Sequence, residues 1–468
     1  MVIYRRGEEV ANEPPGSGFL PRLKCHNFDE LHAMKTKFLI FLLLSCKLSA
    51  YGQDITRIIT EENVSRIIKT LSSDTMMGRP ALEPASIEPA TRFIENEFTR
   101  IGLQPMKGLN GFRQQFEKQR IGPKDVQVLV NDKIISRDDV IIFSDQEKLE
   151  ITGGLPVISL ANDTTVSNST HHFFQSAYTF MMDSSSAIMM VPPDFHSAFM
   201  EFKSYFEKHF TNNRKNSKVF ILGASPIDSY FIKVTQKIET IAMSNVVGMI
   251  PGKRRPEEII LFSAHYDHIG IQRPIAGDSI ANGADDDASG TTAVIELARY
   301  FKKRNNSNRT LIFVAFTAEE IGGHGSKYFS EHVSPEQIVA MFNIEMIGKP
   351  SKWGRHAAFV TGFEKSDLGP ILAKNVSGRN FTFSPDPYPE QDLFYRSDNA
   401  TLARLGVPAH TISTDQIDID PFYHTVNDEF ETIDITNVTA TIRAIALGSG
   451  SVVDGTDTPT RIDLEDVR

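Results

Sequence analysis

The segment GTTAVIELARYFKKRNNSNRTLIFVAF, residues 290–316, combines the pattern of a helix with that of a strand. Its first half repeats apolar residues at helical spacing, among them Val294, Leu297 and Phe301, and it ends in one apolar run, TLIFVAF. A similar run, EIILFSA at residues 258–264, precedes the helix. A helix between two strands of the buried type predicts a βαβ unit, in which the two strands are parallel.

The same alternation continues toward the C-terminus. Further strand-like and helix-like runs are IVAMFNI (338–344), AAFVTG (357–362), LGPILAKNV (368–376), PAHTIST (408–414) and ITNVTATIRAIALG (435–448). They predict an α/β fold with a mainly parallel, doubly wound sheet and helices on both faces. Residues 54–105 have helical patterns, with Thr60 as an N-cap and Gly102 as a stop. Between about 120 and 235, short β-like runs indicate an inserted, mostly β apical module.

A secretory signal is predicted within the N-terminal region, in MKTKFLIFLLLSCKLSAYGQ, which begins at Met34. Lysines precede a short apolar run, and the AYG near its end has the small-x-small pattern of a cleavage site. We therefore expect residues 34–52 to be a signal peptide, residues 1–33 to be a mis-assigned upstream extension, and the protein to be exported to the periplasm or the extracellular space. The LLSC that ends at Cys46 resembles a lipoprotein signal, so a lipid anchor there is the second interpretation. A short core helix is the third.

Composition narrows the classes of partner and cofactor. The formal net charge of −10 lacks the excess of positive charge that is typical of nucleic-acid binding. The apolar run of the signal region is too short to span a membrane. The two cysteines, Cys25 and Cys46, both lie near the N-terminus. The rest of the chain therefore has neither a disulfide framework nor a cysteine metal site, and a metal there must be held by histidines and carboxylates.

Ionisable residues follow the predicted core strands. They are His265 and Asp267 after EIILFSA, Asp285, Asp286 and Asp287 before the next helix, Glu319 and Glu320 after TLIFVAF, Glu345 after IVAMFNI, and Tyr423 and His424 in the loop after PAHTIST. In open α/β sheets, ligands bind outside the carboxyl ends of the strands. Each residue alone is more typical of packing, capping or a solvated surface. Their shared placement predicts a zinc site of histidines and carboxylates, and so many carboxylates favour two metals over one.

The three consecutive aspartates also point to a bound cation. One aspartate is enough to cap a helix N-terminus, whereas three neighbouring carboxylates repel one another. A positive charge close to the triplet would remove that repulsion.

Six motifs resemble those of the co-catalytic zinc aminopeptidase family, the metallopeptidases related to bacterial leucyl aminopeptidases and aminopeptidase Y. The motifs are HYD (265–267), GADDDASG (283–290), AEEIGGHGS (318–326), NIEMIG (343–348), RSDNATLARLGVP (396–408) and YHTVNDEFETI (423–433). The resemblance covers about residues 75–120 and 243–448. It implies the fold of that family, in which the apical insertion is often a protease-associated domain.

The resemblance implies ligands for two Zn²⁺ ions per chain. His265 corresponds to a ligand of one zinc, and Asp286 to the carboxylate that bridges both ions and is followed by a cis peptide bond to Asp287. Glu320 and His424 correspond to the ligands of the second zinc.

One implied ligand departs from the family pattern, because this chain has Glu345 where the family usually has an aspartate. Glutamate is one methylene longer and remains an oxygen donor, so we expect it to bind metal. The replacement of aspartate by glutamate could alter the substrate specificity. By the same resemblance, Asp267 is the carboxylate that orients His265. Glu319 corresponds to the general base, and Tyr423 to a group that stabilises the oxyanion.

Other residues near the motifs are assigned supporting or neutral roles. His268 and His324 fall outside the implied ligand set, which is complete without them. Ser397 and Asp398 match a family element and are expected to support the site. The aromatic residues of the long loop between two ligands either line a substrate pocket or pack against the core; they are Phe383, Tyr388, Phe394 and Tyr395.

The sequence therefore predicts an exported two-zinc aminopeptidase that acts on peptides, and it leaves the oligomeric state open. Three alternatives remain: a glutaminyl cyclase of the same fold, which binds one zinc and lacks the counterpart of His265; a carboxypeptidase-type relative, which needs a basic substrate cluster; and a non-catalytic relative that has lost its ligands. The domains expected after the signal peptide are the N-terminal part of the peptidase domain (53–123), the apical module (124–232), the catalytic core (233–450) and a C-terminal tail (451–468).

Overall fold

The structure is a computed structural model that describes residues 55–160, 169–206, 216–223 and 226–468. Contacts divide the chain into two units, residues 1–57 and 58–468, and all elements named below belong to the second. The predicted upstream extension, signal peptide and lipid-anchor cysteine lie outside the described residues. Within those residues, no helix is long and apolar enough to cross a membrane.

The described strands are β1 (Gln104–Pro105), β2 (Arg113–Val130), β3 (Lys133–Ile134), β4 (Val140–Phe143), β5 (Lys148–Ile151), β6 (Val157–Ser159), β7 (Ala187–Val191), β8 (Lys218–Leu222), β9 (Tyr230–Ile250), β10 (Arg255–His265), β11 (Gly270–Ile275), β12 (Asp278–Ala281), β13 (Arg309–Phe316), β14 (Ile338–Ile344), β15 (Ala357–Val360), β16 (Thr382–Pro385) and β17 (Ala409–Ser413). The α-helices with described bounds are α1 (Glu61–Leu71), α2 (Pro84–Ile101), α3 (Ser169–Met182), α4 (His196–Phe206), α5 (Gly290–Arg304), α6 (His324–Ser330), α7 (Leu368–Val376), α8 (Asn399–Ala403), α9 (Ile435–Gly448) and α10 (Gly450–Asp454).

The central sheet has the strand order β16-β15-β17-β14-β10-β13-β9-β2-β3. Four neighbours in its middle, β17, β14, β10 and β13, are parallel to one another. On one side, β9 and β2 continue the sheet antiparallel, and on the other side β15 is antiparallel to β17. The predicted α/β class is confirmed: the strands that carry the candidate ligands are parallel, within a sheet that is mixed as a whole.

Apolar side chains cover both faces of this sheet. Phe262 in β10 stacks on Phe301 of α5, with ring centroids 5.3 Å apart. Its neighbour Leu261 belongs to a core cluster on the other face that includes Phe329 of α6 and Leu402 of α8. Because successive side chains of a strand point to opposite faces, helices on both sides bury the strands completely.

The first helices begin and end as their local sequences predict. The side chain of Thr60 accepts a hydrogen bond from the backbone N–H of Asn63 at the start of α1. Gly102 has a left-handed conformation, with φ of 79°, at the end of α2. Glycine adopts this conformation without a Cβ clash, which makes it a common helix stop.

The apical module contains a second sheet, in the order β4-β8-β7-β6, and the helices α3 and α4. A cluster of aromatic residues forms the core between this sheet and the helices; it includes Phe173, Phe199, Phe202 and Phe220. The paired strands β2 and β9 run from the module into the central sheet, with one irregularity in their register between Ile121 and Lys124. The boundaries predicted for the module, residues 124 and 232, therefore fall inside these two long strands.

Candidate metal centre

The candidate ligands meet at the carboxyl ends of the parallel strands. His265 is the last residue of β10, and Glu345 directly follows β14. Glu320 lies in the turn after β13, Asp286 in the turn before α5, and His424 in the long loop after β17. Since parallel strands end at the same edge of a sheet, these residues converge although they lie far apart in sequence.

Asp286 occupies the middle of this group. Its Oδ1 lies 3.2 Å from Nε2 of His265, and its Oδ2 lies 3.2 Å from Nε2 of His424. Nε2 of His265 is also 3.1 Å from Oε1 of Glu345, and Nε2 of His424 is 3.0 Å from Oε2 of Glu320. Two sets of three donors therefore share one aspartate, which has one oxygen in each set.

These distances fit two zinc ions. Ligand atoms bound to zinc at about 2.0–2.2 Å in tetrahedral geometry lie about 3.3 Å from one another. The contacts within each set are 3.0–3.2 Å, close to that separation. Two imidazoles with three carboxylates are also a donor chemistry that zinc accepts. The residues present therefore fit the ions that the family resemblance implies.

The three consecutive aspartates have three different sets of partners. Asp285 Oδ2 lies 3.2 Å from Nζ of Lys349. Asp287 Oδ1 accepts hydrogen bonds from the backbone N–H of Gly290 (2.9 Å) and of Met346 (3.1 Å). Asp286 faces the histidines, and the peptide bond to Asp287 is cis, as the resemblance implied. Asp287 also offers an oxygen within 4.8 Å of donor atoms of His265 and Glu345; backbone donors occupy its Oδ1, whereas its buried Oδ2 has no hydrogen-bond partner among the described residues.

Asp267 supports the site in a different way from the one expected. Nδ1 of His265 donates to the backbone carbonyl of Asp267 at 3.0 Å, whereas the Asp267 carboxylate is 3.7 Å away. The carboxylate instead accepts the backbone N–H of Glu319 at 3.2 Å. Burial raises the pKa of Asp267 to about 7. Asp267 thus fixes the tautomer of His265 through its carbonyl and the position of Glu319 through its side chain.

Glu345 is held at both oxygens. While Oε1 faces His265, Oε2 accepts a hydrogen bond of 2.7 Å from the hydroxyl of Ser397. The same hydroxyl accepts a hydrogen bond of 2.7 Å from Nδ2 of Asn343 in β14. The longer side chain thus reaches His265 from the end of its strand while a hydrogen-bonded chain orients it.

Two buried residues near the ligands had no role predicted from the sequence. Arg79 is fully buried and donates to the backbone carbonyls of Tyr266, Asn282 and Gly283, among others. No local pattern in the sequence predicts this role of Arg79. His268 is buried with Nδ1 2.6 Å from Oε1 of Glu320, although it was placed outside the ligand set. Its one signal was a second histidine three residues after His265.

Electrostatics at the centre favour bound cations. Burial raises the pKa of Glu319 well above its ordinary value, and Glu345 and Asp398 raise it further while His265 opposes them. Burial alone would also raise the pKa of Asp286, but the neighbouring histidines push it well below its ordinary value. Carboxylates crowded in a buried site are stabilised by positive charge, which divalent cations supply.

A cleft of about 550 Å³ opens beside the centre. Its walls include the apolar residues Met346, Phe359, Leu393 and Ile417, the polar residues Thr361, Thr411, Ser413 and Asp415, and Arg396. Glu319 and Tyr423 also line it. Of the aromatic residues proposed from the sequence, Phe383, Tyr388 and Phe394 are buried in the core. None of the four lines this cleft.

Comparison with known proteins agrees with the fold. A probable leucine aminopeptidase from Trichophyton verrucosum is 29% identical over 204 residues, which are 42% of this chain and 53% of that protein. The chain thus spans about half the length of this relative. Among solved structures, an aminopeptidase from Aneurinibacillus sp. strain AM-1 aligns with a TM-score of 0.56 and 18% identity, over 89% of this chain and 98% of that one. BSAP, a zinc aminopeptidase from Bacillus subtilis, aligns with a TM-score of 0.50 and 16% identity, over 88% and 99%.

Fold and site together define an α/β protein with a paired centre of histidines and carboxylates beside an open cleft. Residues 245–448 match the model of peptidase family M28. This match, over less than half of the chain, confirms the resemblance found in the six motifs.

Proposed function

We propose that the protein is a zinc-dependent aminopeptidase that binds two Zn²⁺ ions and removes N-terminal residues from peptides. The observation that carries the proposal is the position of Asp286, with one oxygen toward His265 and the other toward His424. A carboxylate shared in this way is what two adjacent metal ions need. The names of the relatives support the peptidase reaction, and export, predicted from residues 34–52, is part of the proposal.

His265, Asp286 and Glu345 would hold one ion, and Asp286, Glu320 and His424 the other. When bound, such a pair of ions polarises the scissile carbonyl and makes a water molecule more acidic. Three of the five donors are buried, with side chains exposed by 1% (His265), 3% (Asp286) and 5% (Glu320), whereas Glu345 and His424 are exposed by 18% and 40%. The rigid surroundings would hold the ions with little reorganisation.

Glu319 is the general base of the proposed reaction. It lines the cleft and has no place in either ligand set. Its carboxylate accepts the proton of the attacking water and then passes it to the leaving amine, which ends the reaction with the base regenerated. The backbone hydrogen bond to Asp267 keeps Glu319 in position for both transfers.

Tyr423 is the donor to the oxyanion. Burial and the nearby Asp286 and Glu320 raise the pKa of Tyr423 above its ordinary value, so the hydroxyl keeps its proton. A protonated hydroxyl beside the reacting carbonyl donates a hydrogen bond to the developing negative charge. The apolar wall of the cleft would take up the side chain of the residue that is removed.

Each alternative function requires particular residues, which can be compared with those of the site. A one-zinc glutaminyl cyclase does not require His265, which here faces two carboxylates. A carboxypeptidase-type relative requires a basic cluster, and Arg396 is the only arginine or lysine among the described residues that line the cleft.

The test is a panel of aminoacyl, acidic dipeptide and N-terminal glutamine substrates, assayed with zinc-loaded enzyme and with enzyme stripped by a chelator. We expect hydrolysis of the aminoacyl substrates, its loss on stripping, and about two zinc ions per chain by elemental analysis. Cyclisation of N-terminal glutamine with a single zinc ion would replace the proposal with the cyclase alternative. Cleavage confined to the acidic dipeptides would replace it with the carboxypeptidase alternative.

A further inference from the structure

The two carboxylate oxygens of Glu320 have separate partners. Oε2 lies 3.0 Å from Nε2 of His424, in the second set of metal donors. Oε1 lies 2.6 Å from Nδ1 of His268, on the other side of the carboxylate. Glu320 is thus in contact, on the side away from His424, with a histidine to which the proposed function assigns no role.

A ring nitrogen of His268 lies within 4.8 Å of oxygens of Asp286 and Glu320, so His268 could reach a metal ion, but its individual distances favour another role. Its contact with Glu320 is much shorter than the separation of about 3.3 Å between two ligands of one zinc ion. It matches a charge-assisted hydrogen bond instead. Nδ1 of His268 is also 3.7 Å from Oδ2 of Asp286, longer than the 3.2 Å from His424 to that same oxygen.

The surroundings hold the ring of His268 in this orientation. The side chain is buried, and its Nε2 has no hydrogen-bond partner among the described residues. The backbone at Gly283 lies against the ring, since a Cβ there would be 2.6 Å from the ring carbons. The backbone N–H of His268 donates to the carbonyl of Arg79 at 3.1 Å. The ring therefore has little freedom to turn away from Glu320.

We infer that His268 is a positioning residue for the second metal ion, an inference that rests on the proposed function. Its Nδ1–H donates to Oε1 of Glu320, so that only Oε2 faces the position between Asp286 and His424. Without this donor, Glu320 would be free to rotate and to present both oxygens or neither.

Two substitutions of His268 separate this role from the others. His268→Asn places an amide N–H close to the position of Nδ1 and keeps the donor, although an amide is a poor zinc ligand. His268→Phe keeps a ring of similar size and removes the donor. Zinc affinity is measured by competition with a chelating dye, and His265→Ala, which removes a ligand of the other ion, assigns the two binding steps. Thermal unfolding of the metal-free variants reports any effect on folding.

We expect His268→Phe to bind the second zinc about 10–100-fold more weakly than the unmodified protein and the first zinc with nearly unchanged affinity. His268→Asn should recover most of the lost affinity. An unchanged second zinc in His268→Phe, with two ions in the unmodified protein, would overturn this inference alone. A loss in His268→Asn equal to that in His268→Phe, with unchanged unfolding temperature, would overturn it in favour of a direct ligand. An unmodified protein that binds fewer than two ions contradicts the proposed function itself.

Discussion

The hydroxyl of Ser397 donates a hydrogen bond of 2.7 Å to Oε2 of Glu345. This contact turns the other oxygen, Oε1, toward Nε2 of His265, which is 3.1 Å away. Glu345 can bridge these two partners because its side chain is long enough to span them from the end of β14. The first of the two proposed metal sites therefore depends on this glutamate and this serine together.

The first prediction concerns this pair. Ser397→Ala removes the donor to Glu345 and should weaken the first zinc by about 10–100-fold, as the loss of such supporting hydrogen bonds commonly does. Zinc titration against a chelating dye is the measurement. Ser377→Ala, at an exposed position beyond α7, is the control and should bind both ions as the unmodified protein does. Equal zinc affinity in the two variants would show that Ser397 does not support the ligand.

The second prediction separates the neighbouring glutamates. Glu319→Gln keeps the shape of the side chain and removes the proton acceptor, so kcat should fall by at least about 10²-fold while both zinc ions stay bound. Glu320→Gln removes a charged ligand and should instead lower the zinc content. Steady-state kinetics with elemental analysis on the same preparations tests both. The reverse pattern would mean that the roles of the two residues are exchanged.

The third prediction concerns Arg79, which is fully buried beneath the turn that carries Asp286. Arg79→Met leaves several buried carbonyl groups without a donor and should lower the free energy of unfolding of the metal-free protein by about 3–5 kcal/mol. Equilibrium unfolding in urea measures this change. Arg92→Met in α2 removes an ion pair from a side chain that is 71% exposed and is the control, with an expected change within about 0.5 kcal/mol.

The fourth prediction is a pH dependence of stability that comes from His410 in β17. Burial lowers the pKa of His410 to about 4, and its ring nitrogens contact the carbonyl of Thr361 and the hydroxyl of Ser366. Below about pH 6.5 the unfolded chain binds a proton at this residue that the folded chain does not. The stabilisation is therefore complete above about pH 6.5 and is lost as the pH falls toward the folded pKa.

The size of this effect follows from the interval between the two pKa values. From about pH 6.5 to pH 4.5, His410 should reduce the free energy of unfolding by about 2–3 kcal/mol. The measurement is urea unfolding of the metal-free protein and of the His410→Gln variant at several pH values. Other groups titrate equally in both proteins, so the difference between them is the contribution of His410 to the free energy of unfolding. If the free energy of unfolding had the same pH dependence in both proteins, the prediction for His410 would be wrong.

Local sequence patterns were enough to predict the elements of the core. The runs at residues 338–344, 368–376 and 435–448 coincide with β14, α7 and α9. Hydrophobic periodicity and capping residues are properties of neighbouring positions, so they can be read without knowledge of the fold. The sequence also predicted that the candidate ligands lie at one edge of the sheet. Parallel strands that are connected by helices have their carboxyl ends at the same edge.

The limits of the apical module could not be predicted in this way. The sequence changes its pattern near residues 120 and 235, but the strands β2 and β9 continue through both positions. The buried positions of β9 change along the strand, from Ile232, Val234 and Gln236 in the module to Ile241 and Met243 toward the central sheet. The boundary is set by what each part packs against, which is a property of the folded chain.

The sequence by itself thus determined the parallel middle of the sheet, the edge where the candidate site lies and the chemical types of its donors. The tertiary structure alone decided which oxygen of each carboxylate faces which histidine, and which residues hold them there. Arg79 meets carbonyl groups 187–207 residues further along the chain, and His268 meets Glu320 across 52 residues. The physical reason is that a hydrogen bond forms only when the separation of its two groups is correct to within a few tenths of an ångström, and only folding brings these groups together.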